Sequence, residues 1–169
     1  MKHEHSQPTG RRERLVTVNT PALPYTVPRY RITLVCEESG SLSAVPLQTS
    51  TTAATLFRPC FAGLDREQFV VCGLDAKLCP IGINIVSIGS LTLSIVHPRE
   101  VMKPLILMNA SAWLCAHNHP SGDVTPSSED RVLTTRLRAA GDLLGITLLD
   151  HLILGDARCY SFADQGWPG

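Results

Sequence analysis

The chain has 169 residues, 44% of them apolar, which is enough for one hydrophobic core of ordinary domain size. Fifteen Lys and Arg balance fifteen Asp and Glu, so the molecule as a whole carries no field that would draw it to nucleic acid or to an anionic membrane. No apolar run reaches the roughly 18 residues that would suggest a membrane span, and the opening MKHEHSQPTGRRERL lacks the apolar segment of a secretory signal, so a cytoplasmic protein is expected.

The charge is unevenly spread. Lys2, Arg11, Arg12, Arg14, Arg29 and Arg31 against Glu4 and Glu13 leave residues 1–31 at +4 and the remainder at −4. Such an arm could touch phosphates or could be a solvated tail. Pro8, Pro21, Pro24 and Pro28 interrupt residues 1–28, where no helix or strand period runs, so this segment reads as a flexible basic tail. YRITLVC (30–36) alternates in β-rich residues, which makes 29–47 a strand extension and 48–169 the domain proper.

From Thr51, TTAATLFRPCFAG groups Ala53, Ala54, Leu56 and Phe57 on one side of a helix until Pro59 and Gly63 interrupt it. Three β-rich runs follow, at 67–75, 79–89 and 91–97, separated by short turns. Residues 98–112 predict a helix that opens on Pro98 and is open to a kink at Pro104, with Val101, Leu105 and Met108 on one face. WLCAH then reads as a buried strand, 127–144 as an amphipathic helix, ITLLDHLILG as another buried strand and RCYSFA as a last one. Helices and strands are mixed without strict alternation, so the expected class is α/β of the α+β kind, a single domain with a mixed β-sheet flanked by helices.

Six cysteines (Cys36, Cys60, Cys72, Cys79, Cys115, Cys159) are scattered, form no C-x-x-C pair and have mostly apolar neighbours. They read as small buried hydrophobes in a reducing compartment rather than as disulfides or a thiolate zinc site.

The chemistry concentrates in AHNHPSGDVTPSSED, residues 116–130. Side chains at i and i+2 of a strand share a face, so His117 and His119 can present imidazoles to one point. A turn-rich loop returns the chain, and Asp130 falls in the first turn of the next helix. Two imidazoles and one carboxylate are a three-ligand set suited to Zn²⁺, with a fourth tetrahedral position left for water. A second reading needs no metal, since Ser127 followed three residues later by Asp130 is also a helix cap with an acidic partner. Asp123, beside Gly122, is expected to form a turn. In HNH nucleases the three letters label residues spread along a larger motif, so the tripeptide at 117–119 does not indicate a nuclease.

His-x-His, seven residues, then Ser-x-x-Asp resembles the JAMM metal motif of the JAB/MPN domain, through His117, His119, Ser127 and Asp130. VHPREV (96–101), HNHPSGD and LLDHLILG (148–155), in this order, are similar to the RadC family over about residues 50–164. That resemblance implies a JAB/MPN fold, akin to that of cytidine deaminases, and a single Zn²⁺ per chain. It makes Glu67 the distant glutamate of the motif, a general base beside the metal ligands His117, His119 and Asp130, with Ser127 as a donor to the oxyanion. The implied activity is hydrolysis of a peptide or isopeptide bond in a peptide or protein substrate. RadC proteins often carry a helix-hairpin-helix segment ahead of this domain, and with no counterpart here the chain is expected to be a short, stand-alone version.

The competing function is a DNA-repair or mobile-element accessory protein that binds without hydrolysis, against which the balanced charge argues. A deaminase reaction lacks its P-C-x-x-C pair and H-x-E motif. His97, Arg99 and Glu100 match the family signature and equally suit a helix start. Asp150 and His151 point to opposite faces of a strand, and a role supporting a metal ligand is open for His151. Oligomeric state is not legible.

Overall fold

The computed structural model describes residues 27, 28, 30–37, 45–89 and 96–168. The chain divides into two units, Met1–Ile32 and Thr33–Gly169, and the fold that follows is that of the second.

Helix α1 (Ser50–Phe57) starts where the Thr49 hydroxyl accepts from the Thr52 N–H, and it tightens into a 3₁₀ turn (Arg58–Phe61) at Pro59, which has no N–H to continue an α-helix. Strands β1 (Gln68–Leu74), β2 (Pro80–Ile88), β3 (Ala112–Asn118), β4 (Thr147–Leu154) and β5 (Cys159–Ser161) form one sheet in the order β2-β1-β3-β4-β5. Neighbours run antiparallel except β3 and β4, which are parallel. A parallel pair needs a crossover, and α3 (Ser128–Leu144) supplies it; α2 (Pro98–Leu107) lies between β2 and β3 in the chain. The fold is therefore the mixed sheet flanked by helices that the sequence implies.

Both faces of β1 and β3 are buried, as befits central strands. On one face Phe69, Val71, Trp113 and Cys115 pack with Val101 and Leu105 of α2 and Leu137 of α3. On the other, Val70, Cys72, Leu114, Ala116 and Leu152 pack with Ala53, Ala54 and Phe57 of α1. Truncating fully buried Leu137 to alanine would cost about 2–5 kcal/mol, because the transfer and cavity terms add.

Several expectations change. Residues 30–36 carry no strand, and Tyr30, Ile32, Leu34 and Val35 are exposed; a β-rich run needs a neighbour for its backbone groups, and no described strand pairs with it. Of the strand read at 91–97, residues 91–95 lie outside the described residues, while Val96 and His97 lead into α2. That helix passes through Pro104 but ends at Leu107 rather than 112, and just beyond it Asn109 adopts φ 55°, a left-handed conformation that asparagine tolerates. Cys72 and Cys115 are buried as expected, whereas Cys36 and Cys159 are exposed. Among the described residues no helix is long and apolar enough to cross a membrane.

Candidate metal centre

The C-terminal end of β3 and the first turn of α3 meet at one point. His119 lies one residue beyond β3, yet its N–H donates to Leu154 O of β4 at 2.9 Å, so the chain stays in strand geometry long enough to bring both histidines to one side. Across the loop Ser127 caps α3: its Oγ accepts from the Asp130 N–H at 3.1 Å, while the Asp130 carboxylate accepts from Ser127 N at 2.8 Å and from Ser127 Oγ at 2.6 Å. The capped turn and the candidate metal set thus share the Asp130 carboxylate, which the cap aims back at β3. His117 Nε2 lies 3.2 Å from Asp130 Oδ1, His119 Nε2 lies 3.7 Å from Oδ2, and the two Nε2 atoms are 3.1 Å apart.

The hydrogen bonds behind the rings determine which nitrogens carry protons. Thr134 Oγ1 donates to the Asp130 carbonyl at 2.6 Å, so toward His151 Nδ1, 2.7 Å away, it acts as acceptor. Fully buried His151 is held neutral, its pKa pushed well down first by burial and then by the charge of His117. With its proton on Nδ1, its Nε2 accepts from His117 Nδ1 at 2.9 Å, and that leaves the His117 Nε2 lone pair facing the cluster. His119 Nδ1 donates to the Asp123 carbonyl at 2.6 Å, which leaves its own Nε2 lone pair facing the same point.

With both histidines neutral, two lone pairs and a carboxylate converge at one point. Nothing but a cation or an added proton relieves that repulsion. The two Nε2 atoms are 3.1 Å apart, and one ligand atom from each of the three residues lies within 4.8 Å of the others, so the set can surround one small cation and leave a fourth position open. The pKa shifts express the same demand for positive charge. The Asp130 hydrogen bond, foremost, raises the His119 pKa. At Asp130 burial opposes the charge most strongly, yet the hydrogen bonds of His117 and His119 and the charge of His117 outweigh it and hold the carboxyl far below the usual range. These three side chains can hold a metal ion.

The RadC-like JAB domain family matches residues 47–167. The chain belongs to that family. A UPF0758 protein of Desulfitobacterium hafniense is 52% identical over 103 residues, covering 61% of this chain and 45% of that protein. Similar UPF0758 proteins occur in Staphylococcus carnosus, 45% identical over 123 residues (73% and 54%), and Symbiobacterium thermophilum, 52% identical over 128 residues (76% and 55%). The chain spans about half the length of the curated relatives it matches.

Within this RadC-like domain, Glu67 sits half-buried just ahead of β1. Continuing the β1–β3 register beyond Phe69↔His117 sets it opposite His119, and its negative charge is among the minor influences that raise the His119 pKa. Ser127 is exposed beside the cluster, its hydroxyl turned to Asp130. Asp123 makes a turn, accepting from Thr125 N and Oγ1 at 3.1 and 2.8 Å, and contributes its carbonyl rather than its carboxylate to His119. His97 caps α2 by accepting from Arg99 N at 3.1 Å, and Arg99 and Lys103 pair with Glu100 on the exposed surface, so the HPRE segment is a helix start. Asp150 turns from the cluster to accept from Ser161 Oγ and Ala163 N at 2.6 and 3.0 Å.

Sequence reasoning did not single out Thr134, Asn118 or Phe69. Thr134 follows Asp130 by one helical turn, a spacing that puts both on one face. The Phe69 ring stacks on His117 with centroids 6.1 Å apart and walls the site with apolar surface.

Proposed function

We propose that this chain is a zinc-dependent hydrolase that cleaves a peptide or isopeptide bond in a peptide or protein substrate. The carrying observation is the convergence of His117 Nε2, His119 Nε2 and the Asp130 carboxylate with both Nδ1 atoms already engaged, an arrangement that a bound cation would complete. Three nitrogen and oxygen ligands suit zinc and leave one coordination position free, as catalytic zinc requires. When bound, zinc would supply an acidified water and polarise the scissile carbonyl.

The protein's own groups do the rest. His117, His119 and Asp130 hold the ion, and the buried hydrogen bonds behind them fix its position. Glu67, beside His119, takes a proton from the attacking water on its carboxylate and returns it to the departing amine nitrogen. Ser127, exposed beside Asp130, turns its hydroxyl to donate to the carbonyl oxygen as charge develops there. Phe69 excludes water from behind His117. Residues 48–169 form the catalytic domain, and the buried thiols of Cys72 and Cys115 accord with a reducing cytoplasm.

The test is cleavage of a fluorogenic peptide pool and of an isopeptide-linked lysine substrate by the zinc-loaded protein and by Glu67→Gln. Cleavage that falls about 10²–10⁴-fold in Glu67→Gln, with zinc retained, supports the reading. Equal cleavage by both proteins removes Glu67 from the mechanism, and no cleavage by zinc-loaded wild type contradicts the hydrolase.

A further inference from the structure

Asn118 stands between the two histidines, is buried, and points its amide away from the metal cluster into the edge of β1. Its Oδ1 accepts from Gln68 N at 2.8 Å and its Nδ2 donates to Arg66 O at 3.0 Å. These two groups belong to the peptide planes on either side of Glu67. The Arg66 carbonyl lies in the plane before the Glu67 Cα, and the Gln68 N–H in the plane after it. Fixing both planes fixes φ and ψ of Glu67, and with them the direction of its Cα–Cβ bond.

The β1–β3 pairing shows why a side chain takes this task. Backbone pairing ends at Phe69↔His117, and a side-chain amide offers the same donor and acceptor as a peptide group, so Asn118 extends the ladder by one step. From the other side the Gly89 N–H donates to the Glu67 carbonyl at 2.8 Å and steadies the second plane. Glu67 therefore sits on a backbone held by three hydrogen bonds, one pair of which comes from the residue between two candidate metal ligands.

We propose that Asn118 is a positioning residue that locks the Glu67 backbone to the His117–His119 strand, so that the Cα–Cβ bond carrying the proton-handling carboxylate keeps a fixed direction relative to the candidate metal ligands. This rests on the reading of Glu67 as the proton carrier. Serine or threonine at 118 could reach one of the two planes but not both. Aspartate would accept from Gln68 N but set an oxygen against the Arg66 carbonyl.

The test compares zinc-loaded wild type, Asn118→Ala and Asn118→Asp by NMR, reading the φ and ψ couplings of Glu67 and the exchange protection of the Gln68 amide. Zinc content is measured alongside. Expected are backbone couplings of Glu67 that report a single φ and ψ, and a protected Gln68 amide, in wild type. Both variants should show averaged Glu67 couplings with zinc content unchanged, and Gln68 protection should be lost in Asn118→Ala but kept in Asn118→Asp. Should Asn118→Ala fail to fold, Asn118→Asp alone decides, through the Glu67 couplings. Glu67 couplings identical to wild type in a folded variant overturn the proposal. On the fluorogenic peptide pool, kcat should fall about 10- to 100-fold in Asn118→Ala with KM unchanged, the cost of a misplaced group far larger than its displacement. If Glu67→Gln cleaves like wild type, the proton-carrier reading fails, whereas the NMR result judges the Asn118 clamp independently.

Discussion

His151 lies directly behind His117, its Nε2 2.9 Å from His117 Nδ1 and its Nδ1 2.7 Å from Thr134 Oγ1. The Thr134 hydroxyl in turn donates to the carbonyl of Asp130, so one buried chain of hydrogen bonds runs from a candidate ligand on β3 to the backbone of another on α3. It sets the His117 tautomer and the spacing of both ligands together. Replacing His151 by glutamine keeps a polar group but cannot bridge both partners in the imidazole geometry. Zinc affinity is expected to fall about 10- to 100-fold, measured by competition with a chromogenic chelator, while circular dichroism stays that of wild type. Unchanged affinity in a folded His151→Gln protein would show that the chain does not tune the site.

The loop that carries Asp123 leans on the turn between β4 and β5. At Gly155 an added Cβ would meet the Gly122 carbonyl oxygen at 2.7 Å, and Arg158 donates to that same oxygen at 2.8 Å. Because the obstruction is backbone, Gly155→Ala must displace the loop, at an expected cost of about 1–3 kcal/mol. The shift should also loosen the Asp123 carbonyl from His119 and weaken zinc binding. Thermal melts of the zinc-free protein and a zinc titration check the two effects separately, and a variant matching wild type in both would contradict the close approach.

Asp150 gives a pH dependence of defined sign. Burial raises its pKa more than the hydrogen bonds from Ser161 and Ala163 lower it. A carboxyl with a raised folded pKa binds its proton more tightly when folded, so its contribution is full below the unfolded value of about 3.9 and is lost as pH rises through the folded value. The stability of wild type relative to Asp150→Asn should therefore improve as pH falls from neutrality toward about 4. Urea denaturation of both zinc-free proteins at the two pH values reads this. A difference that shifts in favour of the asparagine variant on acidification contradicts the assignment.

What the sequence disclosed follows the range of the contacts involved. His117, His119, Ser127 and Asp130 were legible because each step is local, two strand positions and then a capped helical turn. Glu67 entered through family resemblance alone, since its approach to His119 depends on pairing β1 with a strand far along the chain. Strand alternation separated Asp150 from His151 without saying which one faces the His117–His119–Asp130 cluster. That was decided by the irregularity between Trp113 and Leu114 in the β3–β4 register, which sets Asp150 against Leu114 and His151 against Cys115. Asn118 was invisible because a buried amide declares its role only through its partners. Pro104 looked like a kink and the helix continued through it, while Asn109 closed the segment by a left-handed turn that composition did not mark.

The proposal that His117, His119 and Asp130 hold a zinc ion is tested most directly by zinc content. Wild type and His119→Ala would be loaded with zinc, dialysed, and analysed by atomic emission beside circular dichroism. About one zinc per wild-type chain, with most of it lost from a folded His119→Ala protein, is the predicted result. Wild type that retains no zinc, or a His119→Ala protein that retains as much as wild type, would contradict it.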